Sequence, residues 1–160
     1  MTHRRSDSSL PGLTTEQKSR QRWMSVLSKA DFEDFEALWS NLPSKPDWTT
    51  VRAPEVGMVM VRGRAGGTGG RFNLGEAAVT RCAVQLDYGA TGFGYVIGRN
   101  KRHAELAAVV DAMMQTPSHR DTLERALIAP LSMRHDERTT QRGRKAASTK
   151  VEFFTMVRGN

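Results

Sequence analysis

The sequence has a single cysteine, Cys82, and no long apolar run. One thiol excludes an internal disulfide and a metal site built from several cysteines. The longest mostly apolar run, Val56 to Val61, covers six residues, whereas a transmembrane helix needs roughly 18. The first residues also lack the apolar core of a secretory signal peptide. We therefore expect a cytoplasmic protein that does not enter a membrane.

Standard catalytic motifs are also missing. The sequence has no HExxH, GxSxG, CxxC or Walker-type glycine–lysine motif. Its histidines are scattered without the spacing of metal ligands, at His3, His103, His119 and His135. We expect no metal site, no cofactor bound by this chain alone and no self-contained catalytic centre.

The charge that is present is unevenly distributed. The 160 residues carry a net charge of +7, and this length suits one domain. Residues 1–22 hold five Lys or Arg against two acidic residues, and residues 132–150 hold six against two, so the rest of the chain sums to zero. A nucleic-acid-binding domain more often carries its basic side chains along one recognition element. We therefore expect no nucleic-acid partner, with binding through the two basic ends kept as the alternative.

Residue periodicity predicts an α+β fold that begins with a pair of helices. Residues 1–13 are polar and are assigned to a loose leader, and residues 14–160 to a single domain. Thr14 or Thr15 can cap the first helix, and Asp31 the second. Apolar residues recur along both segments at the spacing of one helix face.

The middle of the chain predicts an antiparallel sheet of short strands with a glycine-rich loop. Residues 48–52 and 56–64 are rich in Val, Thr and Trp and are divided by Ala53-Pro54-Glu55, which predicts two strands. Further strands are predicted over 76–86 and 95–97. The short connections suit antiparallel neighbours, because a parallel crossover needs about a dozen residues or more.

Helical periodicity returns in the last third of the chain. Asn100 can cap a helix that runs to about Gln115 and is closed by Pro117. A short helix is predicted over 121–129, before Pro130. A polar and basic stretch then precedes a final predicted strand.

Two apolar segments predict contact with a partner chain. In the final strand, residues 151–157, Phe153 lies on one face while Phe154 and Met156 lie on the other. A strand that is apolar on both faces is buried in a sheet or covered by a partner. Trp23 begins an apolar stripe on the first helix that faces the core or a partner. We assign these side chains to a candidate partner interface.

A glycine-rich segment, residues 63–71, is the first candidate anion site. Consecutive glycines let backbone N–H groups approach a phosphate, and flanking arginines can bind it through paired hydrogen bonds. The alternative is a flexible hairpin loop with solvated arginines. The candidate phosphate-binding residues are Arg64, Gly66, Gly67, Thr68, Gly69 and Arg71.

The start of the helix in the last third is the second candidate anion site. Arg99, Lys101 and His103 lie there beside Arg102. A helix N-terminus already carries partial positive charge, so exposed cations there are disfavoured by roughly 0.3–1 kcal/mol each. A phosphate or a partner's carboxylate bound at the free N–H groups would explain them. The alternative is that water and salt screen these charges, with Glu105 compensating in part.

Several longer blocks resemble one protein family. They are residues 22–27 (RWMSVL), 64–72 (RAGGTGGRF), 74–77 (LGEA) followed by Thr80-Arg81, 92–105 (GFGYVIGRNKRHAE), 127–131 (LIAPL) and 151–159 (VEFFTMVRG). In this order, from about residue 20 to the C-terminus, the chain resembles the PhnG family of the bacterial carbon–phosphorus lyase system.

The resemblance implies an accessory but required subunit of a complex in phosphonate catabolism. In that family the chain acts with PhnH, PhnI and PhnJ subunits, and a PhnL protein assists. The complex displaces adenine from ATP with an alkylphosphonate, so ATP is a substrate of the complex. The nucleosidase centre is attributed to PhnI and carbon–phosphorus cleavage to PhnJ, and no catalytic residue of PhnG carries over.

Two roles within such a complex follow from the two basic clusters. Either cluster could hold polyphosphate near a partner's active site. Alternatively, both clusters meet acidic partner surfaces, and the chain is a pure assembly scaffold without substrate contact.

Overall fold

The computed structural model describes residues 12–148. The predicted leader, apart from its last two residues, and the predicted final strand with Phe153, Phe154 and Met156 lie outside this range. The helices are α1 (Thr15–Lys29), α2 (Phe32–Ser40), α3 (Lys101–Met114), α4 (Pro117–Leu123) and α5 (Ala129–Ser148), and the strands are β1 (Trp48–Arg64), β2 (Arg71–Leu86) and β3 (Thr91–Ile97). The α+β class is confirmed.

The predicted helix starts are confirmed by their capping hydrogen bonds. Thr14 accepts a bond from the backbone N–H of Gln17 at 3.2 Å and donates its own N–H to the Gln17 side chain at 2.8 Å. Asp31 accepts a bond from the N–H of Glu33, and Asn100 accepts one from the N–H of His103 at 3.0 Å. These caps satisfy N–H groups that have no partner within the first turn of a helix.

The sheet is antiparallel in the order β1-β2-β3, but its first two strands are long. The predicted break at Ala53-Pro54-Glu55 is wrong, since β1 continues through it. Thr50 pairs with Val84 and Glu55 pairs with Arg81, so β1 advances by five residues where β2 advances by three. The two extra residues form bulges on an edge strand, where a proline without an N–H breaks no hydrogen bond of the ladder. Strand β2 likewise begins earlier than predicted, because it pairs with β1 as far as Arg71.

Helix α3 packs directly onto β3 because of two glycines. A Cβ atom added at Gly94 would collide with the carbonyl oxygen of Ala104, and one added at Gly92 would collide with that of Ala108. Alanines on the facing side of α3 complete the close approach. The core lies between this face of the sheet and the helices, around Val84, Val96, Val109, Leu127 and Ile128.

The last third differs from the prediction of separate short helices. Helix α4 begins at Pro117, and a π-helical segment, Glu124–Ile128, connects it to α5 without interruption. The predicted helix end before Pro130 is therefore wrong. A proline at the first position of a helix loses no hydrogen bond, which accounts for Pro117. The π-helical turn ends at Ile128, two residues before Pro130, and there the helix accommodates a residue that has no N–H.

The side chain of Asp111 connects three elements of the core. It is completely buried and accepts a bidentate ion pair from Arg20 of α1 at 3.1 and 2.7 Å. The indole N–H of Trp23 and the backbone N–H of Phe93 donate to it at 2.9 and 3.0 Å. The assignment of Trp23 to a partner interface is therefore wrong, because its side chain is 2% exposed and lies in the chain's own core.

None of the helices in the described part of the chain is long and apolar enough to cross a membrane.

We expect the Gly94→Ala variant to lose about 1–3 kcal/mol or more of unfolding free energy, because the added methyl group has no space between β3 and α3. Gly57→Ala is the matched control, since no atom lies within 4 Å of a Cβ at that position. Denaturant unfolding of both variants measures the difference. Equal losses in the two variants would contradict the close packing of α3 on β3.

Candidate functional site

The most distinctive surface feature is a two-stranded ribbon that projects from the sheet. Strand β3 ends at Ile97, opposite Val79, whereas β1 and β2 stay paired as far as Arg64 and Arg71. At the usual rise of a strand, β2 extends about 23 Å beyond the end of β3. We call this ribbon, residues 56–78, the arm.

The glycines at the tip of the arm are required by the turn itself. Gly66 and Gly67 have φ angles of 57° and 82°, which L-residues with side chains rarely adopt. The N–H of Gly69 donates to the carbonyl of Ala65 at 2.8 Å, and a Cβ at Gly69 would lie 2.5 Å from that oxygen. The glycine-rich segment is thus an ordered hairpin turn, and the glycines give it this shape.

The arginines at this turn form the basic tip, which we define as Arg62, Arg64 and Arg71. Arg64 and Arg71 are cross-strand neighbours in the last pair of the arm. All three side chains are exposed, together with Thr68. Within residues 12–148 no carboxylate forms an ion pair with them. The tip therefore presents guanidinium groups that are available to an external anion.

The second basic cluster lies at the base of the arm. The N–H of Gly98 donates to the carbonyl of Ala78 at 2.8 Å, and this holds the turn before α3 against β2. Arg99 and Lys101 extend from this turn, are exposed, and have no ion pair with any described residue. Because the length of the arm separates them from the tip, the two predicted clusters do not form one site.

His103 does not belong to the basic cluster. Its side chain is buried, so the predicted phosphate contact of His103 is wrong. Its ring is 4% exposed and lies 5.7 and 5.5 Å from the rings of Phe32 and Phe35. Its Nε2 atom is 2.9 Å from the carbonyl oxygen of Leu27. Desolvation lowers the pKa of His103, although the bond to Leu27 acts in the opposite direction. The neutral ring thus anchors α3 to α1 and α2.

Sequence reasoning missed the Asp111 cluster and the groove beside it. The groove, of about 720 Å³, lies between α1 and β3 and is lined in part by Arg20, Met24, Phe93 and Tyr95. The sequence signal for this cluster was Asp111, an acidic residue within the apolar run of α3. A buried carboxylate requires hydrogen-bond donors around it. Among residues 12–148 no group of His, Cys, Asp or Glu is arranged to hold a metal ion.

The burial of His103 makes stability depend on pH. The pKa of His103 in the folded protein lies below the ordinary value of 6.5. The neutral ring therefore contributes its full stabilisation above pH 6.5, and this contribution is lost as the pH falls from 6.5 through the folded pKa. We expect the unfolding free energy to decrease below pH 6.5, by at most about 1.4 kcal/mol per pH unit from this group. His103→Phe should flatten this dependence, and His135→Gln, the control, should preserve it. Urea unfolding between pH 5 and 8 measures both slopes, and identical slopes in wild type and His103→Phe would contradict the assignment.

Comparison with known proteins gives two agreeing results. Residues 18–159 match the family model described as phosphonate metabolism protein PhnG. The chain is also 42% identical over 140 residues to the alpha-D-ribose 1-methylphosphonate 5-triphosphate synthase subunit PhnG of Rhizobium meliloti (strain 1021), and the match covers 88% of this chain and 89% of the relative. The blocks that suggested the resemblance thus lie within a match that spans nearly the whole chain. The protein belongs to the PhnG family.

Proposed function

We propose that the chain is an accessory, required subunit of the complex that transfers an alkylphosphonate to the ribose of ATP with release of adenine. The observation that carries this proposal is its 42% identity, over nearly the full length of both chains, to a subunit of alpha-D-ribose 1-methylphosphonate 5-triphosphate synthase. The complex acts in phosphonate catabolism in the cytoplasm. This chain contributes to a transferase reaction whose catalytic groups lie on other subunits.

The partners in this proposal are the PhnH, PhnI and PhnJ subunits, with PhnL assisting. ATP enters as a substrate of the complex, and this chain holds no cofactor of its own. A fold that exposes a long arm supports a role in contact with other chains, because a large exposed apolar surface on a protein marks an interaction site.

Within the complex, the basic tip of the arm holds polyphosphate. Arg64 and Arg71 face each other across the last strand pair, next to a turn whose shape is set by its glycines. Guanidinium groups bind phosphate through paired hydrogen bonds. Donors placed in advance stabilise charge during the reaction without a cost of reorganisation. Arg99 and Lys101 at the base of the arm provide a separate anion contact, to a phosphonate or to a partner's carboxylate.

A pure assembly scaffold is the second candidate function, and the exposed apolar residues of the arm favour it. In that case the basic clusters contact only acidic partner surfaces. Binding of a non-hydrolysable ATP analogue to the complex separates the two functions. Protection of residues 63–71 from proteolysis or hydrogen exchange by the analogue supports substrate contact, and unchanged exchange supports the scaffold.

We expect the Arg64→Ala/Arg71→Ala variant to lower the rate of adenine release by about tenfold or more, because it removes preorganised donors to the polyphosphate. Arg142→Ala/Arg144→Ala removes the same charge from the exposed face of α5 and serves as the matched control. Complex assembly is verified first by size-exclusion chromatography, and the sugar product by phosphorus NMR. Wild-type activity of the tip variant in intact complexes would refute the role of the tip.

A further inference from the structure

The arm carries an exposed apolar stripe between its base and its tip. Val56, Met58 and Met60 alternate along β1, so their side chains point to the same side of the ribbon. They are 42%, 52% and 52% exposed. Val56 lies opposite Thr80, which is completely buried. The stripe therefore continues the core-facing side of the sheet beyond the end of the core.

The pairing of the arm defines the rest of this surface. Ala78 and Glu76 lie opposite Met58 and Met60 on the same side of the ribbon, whereas Phe72 pairs with Gly63 and lies on the other side. An isolated ribbon of two strands is only marginally stable in water. Beyond Ile97 the described sheet has no third strand, so β2 also presents an open edge along this length. Open strand edges and apolar side chains together favour contact with another chain.

The charge pattern identifies the kind of chain that covers this stripe. The ends of the stripe are basic, with Arg62, Arg64 and Arg71 at the tip and Arg99 and Lys101 at the base. A second copy of this chain would bring the same arginines of the tip to the contact and so oppose like charge with like charge. A complementary partner instead offers an apolar groove that ends at negative charge.

We propose that the stripe of Val56, Met58 and Met60 docks into an apolar groove of the subunit that holds the triphosphate of ATP, and that this docking carries the arginine tip to the triphosphate. This inference rests on the proposed function. The stripe lies between the tip and the body of the protein, so a groove that encloses the stripe receives the tip at its inner end. The negative charge at that end is the bound triphosphate.

The test uses the full chain and the remaining subunits of the synthase, purified together. Met58→Glu/Met60→Glu places carboxylates on the stripe, and Met133→Glu places one on α5 at a methionine that is 64% exposed. Circular dichroism and thermal unfolding establish that the variants fold. We expect the arm variant to bind the other subunits at least tenfold more weakly in a binding titration, and Met133→Glu to bind like wild type. Normal binding and activity of the arm variant would overturn the inference.

A photo-crosslinking amino acid at position 60 identifies the occupant. A crosslink to the subunit that is also labelled by an azido-ATP probe supports the inference. A crosslink to a second copy, to residues 149–160 of the same chain, or to a subunit that the probe does not label overturns it.

The Arg64→Ala/Arg71→Ala variant separates the docking inference from the proposed function. If this variant and Met58→Glu/Met60→Glu both assemble, and Arg64→Ala/Arg71→Ala is inactive, the docking inference fails and the proposed function stands. If the wild-type chain neither binds the other subunits nor supports adenine release, the proposed function itself fails.

Discussion

The buried carboxylate of Asp111 is the interaction on which the body of the protein depends. It lies on α3 and accepts bonds from Arg20 and Trp23 of α1 and from the backbone of β3 at Phe93. A buried charge is tolerated only where donors surround it, and here those donors come from α1 and β3. Displacement of α1 would remove the bonds from Arg20 and Trp23, and displacement of β3 would remove the bond from Phe93. This constraint fixes the relative positions of the elements that surround the base of the arm.

The unequal lengths of the strands produce the arm that projects from this body. Strand β3 stops at Ile97 because Gly98 turns the chain into α3, whereas β1 and β2 continue to the glycine turn. The resulting arm has cations at both ends, with Val56, Met58 and Met60 between them and Glu76 opposite Met60. The proposed docking uses the apolar side chains of the arm to enter a partner and its basic tip to place positive charge beside an anionic ligand.

Local features of the structure were predictable from sequence, and features that depend on distant contacts were not. The caps at Thr14, Asp31 and Asn100 depend on neighbouring residues and were predicted correctly. Pro54 was expected to end a strand, but an edge bulge accommodates it, and only the pairing partner reveals this. For Trp23 and His103, periodicity shows an apolar or basic face and cannot show that the chain itself covers the residue. The arm required knowledge of where β3 ends relative to β1 and β2.

We propose that this chain is required for phosphonate transfer and does more than join the complex. The most direct measurement follows adenine release from ATP and methylphosphonate by the other subunits, with and without this chain, and examines the sugar product by phosphorus NMR. We expect the ribose 1-phosphonate to form only when this chain is present. Equal formation of that product by the other subunits alone would contradict it.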